Sequence, residues 1–207
     1  MKTPASVKAR AARPPGRPRS AQAHRAILDA ALDLFVEQGY DGMSMEGIAA
    51  RAGVGKTTIY RRWSSKEDLI VDAIGELIFD VEPPNTGSIR EDLVEMLVTV
   101  QSTFTSSRAG EVFPRMAAQV AASSPLGRAY LERVIEPRFA LLQGMIARGV
   151  DRGELPADVD PHLVRALLIG PVILWKLTGR LPRRGARDRA ERIVDTVLAG
   201  LRSRPSG

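Results

Sequence analysis

Residues 44–66 read Ser-Met-Glu-Gly-Ile-Ala-Ala-Arg-Ala-Gly-Val-Gly-Lys-Thr-Thr-Ile-Tyr-Arg-Arg-Trp-Ser-Ser-Lys. Ser44 is a helix N-cap residue type, and Glu46 falls in the first turn, where a carboxylate is favoured. Gly53-Val54-Gly55 supplies a turn, and residues 56–63 predict a second short helix. Two short helices about a glycine-containing turn form a helix-turn-helix, whose second helix reads the DNA major groove. Ile59 and Trp63 are four apart and share one face of that helix. Packing them inward turns Thr57, Thr58, Tyr60 and Arg61 outward. Arg bonds guanine bidentately, and Thr or Tyr meets thymine methyls or phosphate. Lys56 and Lys66 bracket the helix and suit phosphate contact. Backbone N–H groups at helix starts near Ser44 and Ser65 suit it too.

Two rival readings attach to the same stretch. One is a solvated basic helix face with no partner. The other is a phosphate-binding loop, because Ala50-Arg51-Ala52-Gly53-Val54-Gly55-Lys56-Thr57 nearly fits that pattern, with Ala in place of its first Gly. A working phosphate loop follows a buried strand. Here Gly47-Ile48-Ala49-Ala50 continues a capped helix instead, and no later apolar strand ends in an Asp for Mg²⁺.

Charge is distributed in keeping with a polyanion partner. The 207-residue chain carries a formal +6, yet residues 1–66 hold 12 Lys+Arg against 5 Asp+Glu, and the remainder 18 against 19. The basic excess is therefore confined to the region of the helix-turn-helix. Aromatic residues make up 5% and few runs alternate in the strand period, which favours an all-α protein. Without cysteine, disulfides, thiolate metal sites and Cys nucleophiles are excluded. No apolar run is long enough to span a bilayer, and the basic N-terminus lacks the apolar core of a secretory signal. A cytoplasmic location with no membrane association is expected.

About nine helices are expected. Residues 1–19 hold five Pro or Gly and six Lys or Arg, so this basic arm is expected to be disordered. Within it Pro15-Gly16-Arg17-Pro18-Arg19 presents Arg17 and Arg19 on an extended peptide. Such a peptide fits a narrow A·T-rich minor groove, although a basic tail that meets any phosphate has the same composition. A first helix spans 20–38, capped by Ser20 and stopped by Gly39. The helix-turn-helix domain covers 20–66. A connecting helix and loop cover 67–87, the helix reaching about Phe79, with Ser64 and Glu67 spaced as a capping box. Further helices are expected at 88–107, 111–122, 125–152, 161–178 and 186–202, with breaks that include Gly110 and a kink at Pro137.

Catalysis finds little support. His24 and His162 lie far apart in sequence, neither at metal-ligand spacing, and no nucleophile elbow or carboxylate pair stands out. No cofactor or metal is expected. His24 reads as a surface residue of the first helix, His162 as exposed in a first turn. The region 88–207 is apolar and helical. Leu163, Leu167, Leu174, Val194, Leu198 and Leu201 form stripes on its last two helices. Such stripes fold on each other or pair with a second chain into a four-helix bundle. A homodimer also suits the DNA reading, because a two-fold dimer reads two half-sites. Met96, Phe104, Met116, Phe139, Met145 and Trp175 are candidates to line a small-molecule cavity, with ordinary core packing as the alternative.

The chain resembles the TetR family of bacterial transcriptional regulators over about residues 20–70. The resemblance rests on Ala30-Ala31-x-x-Leu34-Phe35 through Gly39-Tyr40, Ile48-Ala49-x-x-Ala52-Gly53-Val54, Ile59-Tyr60-x-x-Trp63 and Ser65-Lys66-Glu67. It implies a homodimer with an N-terminal DNA-binding domain and a C-terminal domain that dimerises and binds an effector. It also implies that the helix from Lys56 enters the major groove, that Lys66 touches phosphate, and that Tyr60 touches phosphate or a base. Gly55 stands where the family often has Ser, so a weaker side-chain cap is expected there. The expected function is a regulator, not an enzyme, and specifically a repressor released from a palindromic operator by an unknown small-molecule effector. The alternatives are a non-specific basic nucleic-acid-binding protein and a phosphate-loop nucleotide-binding enzyme.

Overall fold

The computed structural model describes residues 17–78, 82–106 and 108–202. All regular structure among them is helical. The order is α1 (Arg17–Gly42), α2 (Met45–Ala52), α3 (Lys56–Tyr60), α4 (Lys66–Leu77), α5 (Ile89–Ser106), α6 (Arg108–Ala121), α7 (Pro125–Tyr130), a π-helical turn (Leu131–Ile135), α8 (Glu136–Asp151), α9 (Pro161–Leu177) and α10 (Ala186–Arg202). The segments α7, π turn and α8 run without interruption, so the described residues make nine rods. No helix of the described residues is long and apolar enough to cross a membrane.

Buried apolar side chains gather in two clusters. The first joins α1 to α4 through Ile27, Phe35, Ile48, Ile59, Trp63, Leu69 and Ile70. It does not stop at the loop before α5: Val112 and Met116 of α6, Leu126 and Tyr130 of α7, and Val134 of the π turn belong to it. The second joins α5, α8, α9 and α10 through residues such as Leu93, Leu97, Phe139, Met145, Leu168, Val172 and Val194. Each fully buried side chain of this size contributes about 1.5–3 kcal/mol.

Several boundaries differ from the sequence expectations, each for a local reason. The expected disorder of residues 1–16 lies outside the described residues. Helix α1 begins at Arg17 rather than Ser20, because Pro18 falls in a first turn that needs no N–H from it; residues 17–19 are helical, not extended. Gly39 breaks the regular helix as expected, with a non-helical backbone (φ 74°, ψ 176°), and the short helical piece at residues 40–42 continues α1 beyond that kink. The helix α3 is shorter than 56–63: it closes at Tyr60, and Arg61 and Arg62 form a turn. The Trp63 N–H still reaches the Ile59 carbonyl at 3.0 Å, which keeps the two apolar side chains together. The cap of α4 is Ser65 rather than Ser64. Ser65 Oγ accepts the Asp68 N–H at 3.1 Å, while the Ser64 hydroxyl donates to the Asp68 carboxylate at 2.6 Å. The expected break at Gly110 lies inside α6, where a β-carbon would stand 2.2 Å from the Phe104 carbonyl; close approach, not a turn, requires glycine there. At Pro137 the distortion takes the form of the π turn just before it, where the Glu136 N–H bonds the Leu131 carbonyl.

Candidate nucleic-acid interface

The helix α2 starts on Ser44, whose hydroxyl accepts the Gly47 N–H at 3.1 Å. It ends on Gly53 in the left-handed conformation, φ 65°. There the Gly53 N–H meets the Ala50 carbonyl at 3.2 Å and the Val54 N–H meets Ala49 at 3.0 Å, the double bond of a Schellman end. Gly55, the N-cap of α3, offers no side-chain cap.

Ile59 and Trp63 are buried at 0% and 3% exposure, as their spacing requires. Trp63 lies stacked on His24 of α1, ring centroids 5.4 Å apart, and its indole N–H donates to Asp72 of α4 at 2.8 Å. The opposite face of α3 is open. Tyr60 is 50% exposed, Lys56, Thr57, Arg61 and Arg62 are exposed, and Thr58 is half-buried. A carboxylate shares this face. Glu46 pairs with Lys56 at 3.3 Å and stands 3.5 Å from the Tyr60 hydroxyl. Its own backbone N–H, then Lys56, hold its carboxyl below the usual range. Glu46 therefore orients two outward side chains while lowering the net positive charge they present.

Lys66 sits at the joint between α1 and α4. Its ammonium donates to the Tyr40 carbonyl at 2.8 Å and the Met43 carbonyl at 3.3 Å, and lies 4.1 Å from the Tyr40 ring centre. The Tyr40 hydroxyl in turn donates to Glu67. The cation is engaged within the subunit, a role its position in the sequence does not disclose. His24, expected at the surface, is half-buried and its Nε2 lies 2.8 Å from Glu76. The Trp63–Asp72 and His24–Glu76 contacts had no sequence signal, since each joins separate helices. The role of Glu46 was partly visible in its first-turn place. Arg17 and Arg19 lie at the start of α1.

The near phosphate-loop motif is the end of α2, the turn and the start of α3. No strand precedes it, and its Lys56 ammonium faces Glu46. That geometry removes the nucleotide-binding alternative.

Comparison with known proteins agrees with this architecture. Residues 27–73 match the family described as bacterial regulatory proteins, tetR family, and residues 83–197 match the tetracyclin repressor-like C-terminal domain. The chain belongs to the TetR family of transcriptional regulators. It is 35% identical over 158 residues to an uncharacterised HTH-type transcriptional regulator, YdeS, of Bacillus subtilis, covering 76% of this chain and 79% of that one. It is 33% identical over 180 residues to a DNA-binding transcriptional repressor, TetR, of Mycobacteroides abscessus, covering 85% and 92%. The crystal structure of the regulator FadR from Bacillus subtilis, in complex with stearoyl-CoA, shares the fold with TM-score 0.68 at 19% identity, covering 86% of this chain and 98% of that one.

In this TetR-family regulator the C-terminal candidates separate. Leu163, Leu167 and Leu174 are exposed at 40%, 44% and 59%, and Leu177 at 49% joins them on α9. With the bare Gly170 between them, they repeat at the three- and four-residue spacing of a helix-packing seam. Val194, Leu198 and Leu201 lie instead in the second cluster, buried within the subunit. Helix α10 packs against α5 and α9, and its exposed residues are Arg187, Asp188, Arg192, Asp195 and Thr196 together with the small Ala199 and Gly200. Those three residues thus leave the candidate dimer interface.

Four of the six pocket candidates, Met96, Phe104, Phe139 and Met145, lie in or against the second cluster. Met116 belongs to the first cluster, Phe139 and Met145 to the second, and Met96 packs against the second. Trp175 is half-buried on α9. Phe104 borders a cleft of about 580 Å³, which lies between α1, the α5–α6 junction and α9 and is also lined by Asp33, Glu37, Arg108 and Lys176.

Proposed function

We propose that this regulator is a homodimeric repressor that binds a palindromic operator in the cytoplasm and is released by a small-molecule effector. One observation carries the DNA half of the reading: α3 is held by Ile59 and Trp63 so that Tyr60, Arg61, Thr57 and Lys56 project from the subunit. Arg61 serves as a base-edge reader. Lys56, Tyr60 and the N–H groups near Ser44 serve phosphate, and Thr58 stands at the edge of the contact. Arg17 and Arg19, at the start of α1, are further proposed DNA contacts. Lys66 reaches phosphate by turning its ammonium outward from the Tyr40 and Met43 carbonyls.

The exposed seam of Leu163, Leu167, Leu174 and Leu177 supports the dimer. Two copies of α9 crossing there, flanked by α10, build a four-helix bundle. Two α3 helices then read successive major grooves about 34–36 Å apart, or further on longer operators. An effector among the C-terminal helices releases DNA by favouring an arrangement with a different separation.

The test is selection of bound fragments from the source genome, followed by gel shifts on the recovered palindrome and on scrambled DNA. A strong preference for the palindrome, abolished by Arg61→Ala with Tyr60→Ala, is expected. Equal affinity for both DNAs would return the protein to the non-specific nucleic-acid-binding class.

A further inference from the structure

Arg133 lies in the π-helical turn, outside the helix-turn-helix, yet its guanidinium bridges two carboxylates of α4. Its Nη1 is 2.8 Å from Asp68 Oδ1 and its Nη2 is 2.5 Å from Asp72 Oδ1. Both carboxylates have second partners in the reading head. The other oxygen of Asp72 accepts the Trp63 indole N–H at 2.8 Å. The other oxygen of Asp68 accepts the Ser64 hydroxyl at 2.6 Å, and the Asp68 N–H is capped by Ser65. One residue of the C-terminal helices is therefore linked, through one carboxylate each, to the ring that backs α3 and to the serines that join α3 to α4.

Arg138 holds the other end of the same helix. Its guanidinium donates to the Ile78 carbonyl and, at 3.4 Å, to the Gly75 carbonyl. A cation is favoured at such a helix C-terminus. In an α-helix, residues five apart point about 140° away from each other. A π turn, closed between residues five apart, draws them towards one face. The wide turn thus lets Arg133 and Arg138 grip α4 at both ends. The rod continues into α8, where Phe139 and Met145 are buried against the second cluster.

We infer that Arg133 is a positioning residue for DNA reading: the chain Arg133–Asp72–Trp63 sets α3 relative to the C-terminal helices, and a shift of the π turn is the route by which those helices move the reading head. The inference rests on the regulator function proposed above. The ion pairs themselves are partly exposed and add little to stability, so the position of α4, not the integrity of the fold, is what they control.

The experiment compares wild type, Arg133→Gln, Asp72→Asn and the double variant. It measures binding to the selected operator and to scrambled DNA, thermal melting, and the indole N–H resonance of Trp63, assigned with Trp63→Phe. Arg133→Gln is expected to melt as wild type, to lose roughly tenfold in operator affinity, to lose less on scrambled DNA, and to shift the Trp63 resonance. The double variant should bind no worse than the weaker single variant, because both break one chain of contacts. Operator binding and a Trp63 resonance like those of wild type would overturn the inference. So would an equal loss on both DNAs, which would assign Arg133 to phosphate attraction. Should Arg133→Gln fail to fold, Asp72→Asn must weaken operator binding by itself, or the inference falls. A wild-type protein with no operator preference would instead refute the regulator's sequence specificity.

Discussion

Arg61 and Trp63 are two residues apart and do opposite work. Arg61 begins the turn after α3 and faces solvent, so its removal leaves the core untouched. Arg61→Ala should weaken operator binding by about 1–3 kcal/mol per half-site and relax base preference at one position, as measured by competition against single-base operator variants. Trp63 is buried between α1 and α4. Trp63→Ala should cost roughly 3–5 kcal/mol of stability, visible as a large fall in melting temperature. A variant that melted like wild type would contradict the placement of that ring.

Asp68 makes a pH prediction. The Ser64 hydroxyl first, then Ser65 and Arg133, hold its carboxyl below the usual range against the opposing effect of burial. A carboxylate whose folded pKa is depressed adds stability above its unfolded value, about 3.9, and loses it as the pH falls through the folded value. Melting followed from neutral pH into acid should therefore decline less steeply for Asp68→Asn than for wild type.

At the scale of the element, α9 and α10 look alike in sequence and differ in use. Leu167 and Leu174 face outward, whereas Leu198 is 4% exposed in the subunit's own core. Leu167→Glu with Leu174→Glu should dissociate the dimer without unfolding it, seen as a halved mass in sedimentation. Leu198→Ala should instead lower stability by about 2–5 kcal/mol at unchanged subunit number. The helix α3 teaches a related lesson. Its apolar spacing, Ile59 to Trp63, was legible because four residues return a side chain to the same face. Its length was not, because Ser65 and Asp68 cap the next helix and draw the chain out of α3 at Tyr60.

For the whole molecule, the relation between the two reading helices is the quantity that matters. Inserting half a helical turn, about 5 bp, between operator half-sites should abolish high-affinity binding by turning one half-site away from its α3. Binding to single half-sites should persist weakly. A gel-shift series over spacer lengths checks this, and affinity independent of spacing would argue against a rigid dimer. The continuity of the first apolar cluster from α1 through α6, α7 and the π turn offers the stiffness such a measurement presumes. A domain boundary drawn from the Pro- and Gly-containing loop before α5 says nothing of that continuity.

By itself the order of residues determined what is local: the cap at Ser44, the left-handed turn at Gly53, the inward pair Ile59 and Trp63, the all-helical class, and the concentration of positive charge near the reading helix. These follow from backbone preferences and helical period, which act over a few neighbouring positions. Tertiary structure alone decided which leucines stay exposed on α9 and which fill the core, that Lys66 seats on the Tyr40 and Met43 carbonyls, and that Arg133 reaches Trp63 through Asp72. Those outcomes depend on how separate helices cross. Packing sets the crossing through the volumes of many distant side chains at once, and no short stretch of sequence contains that sum.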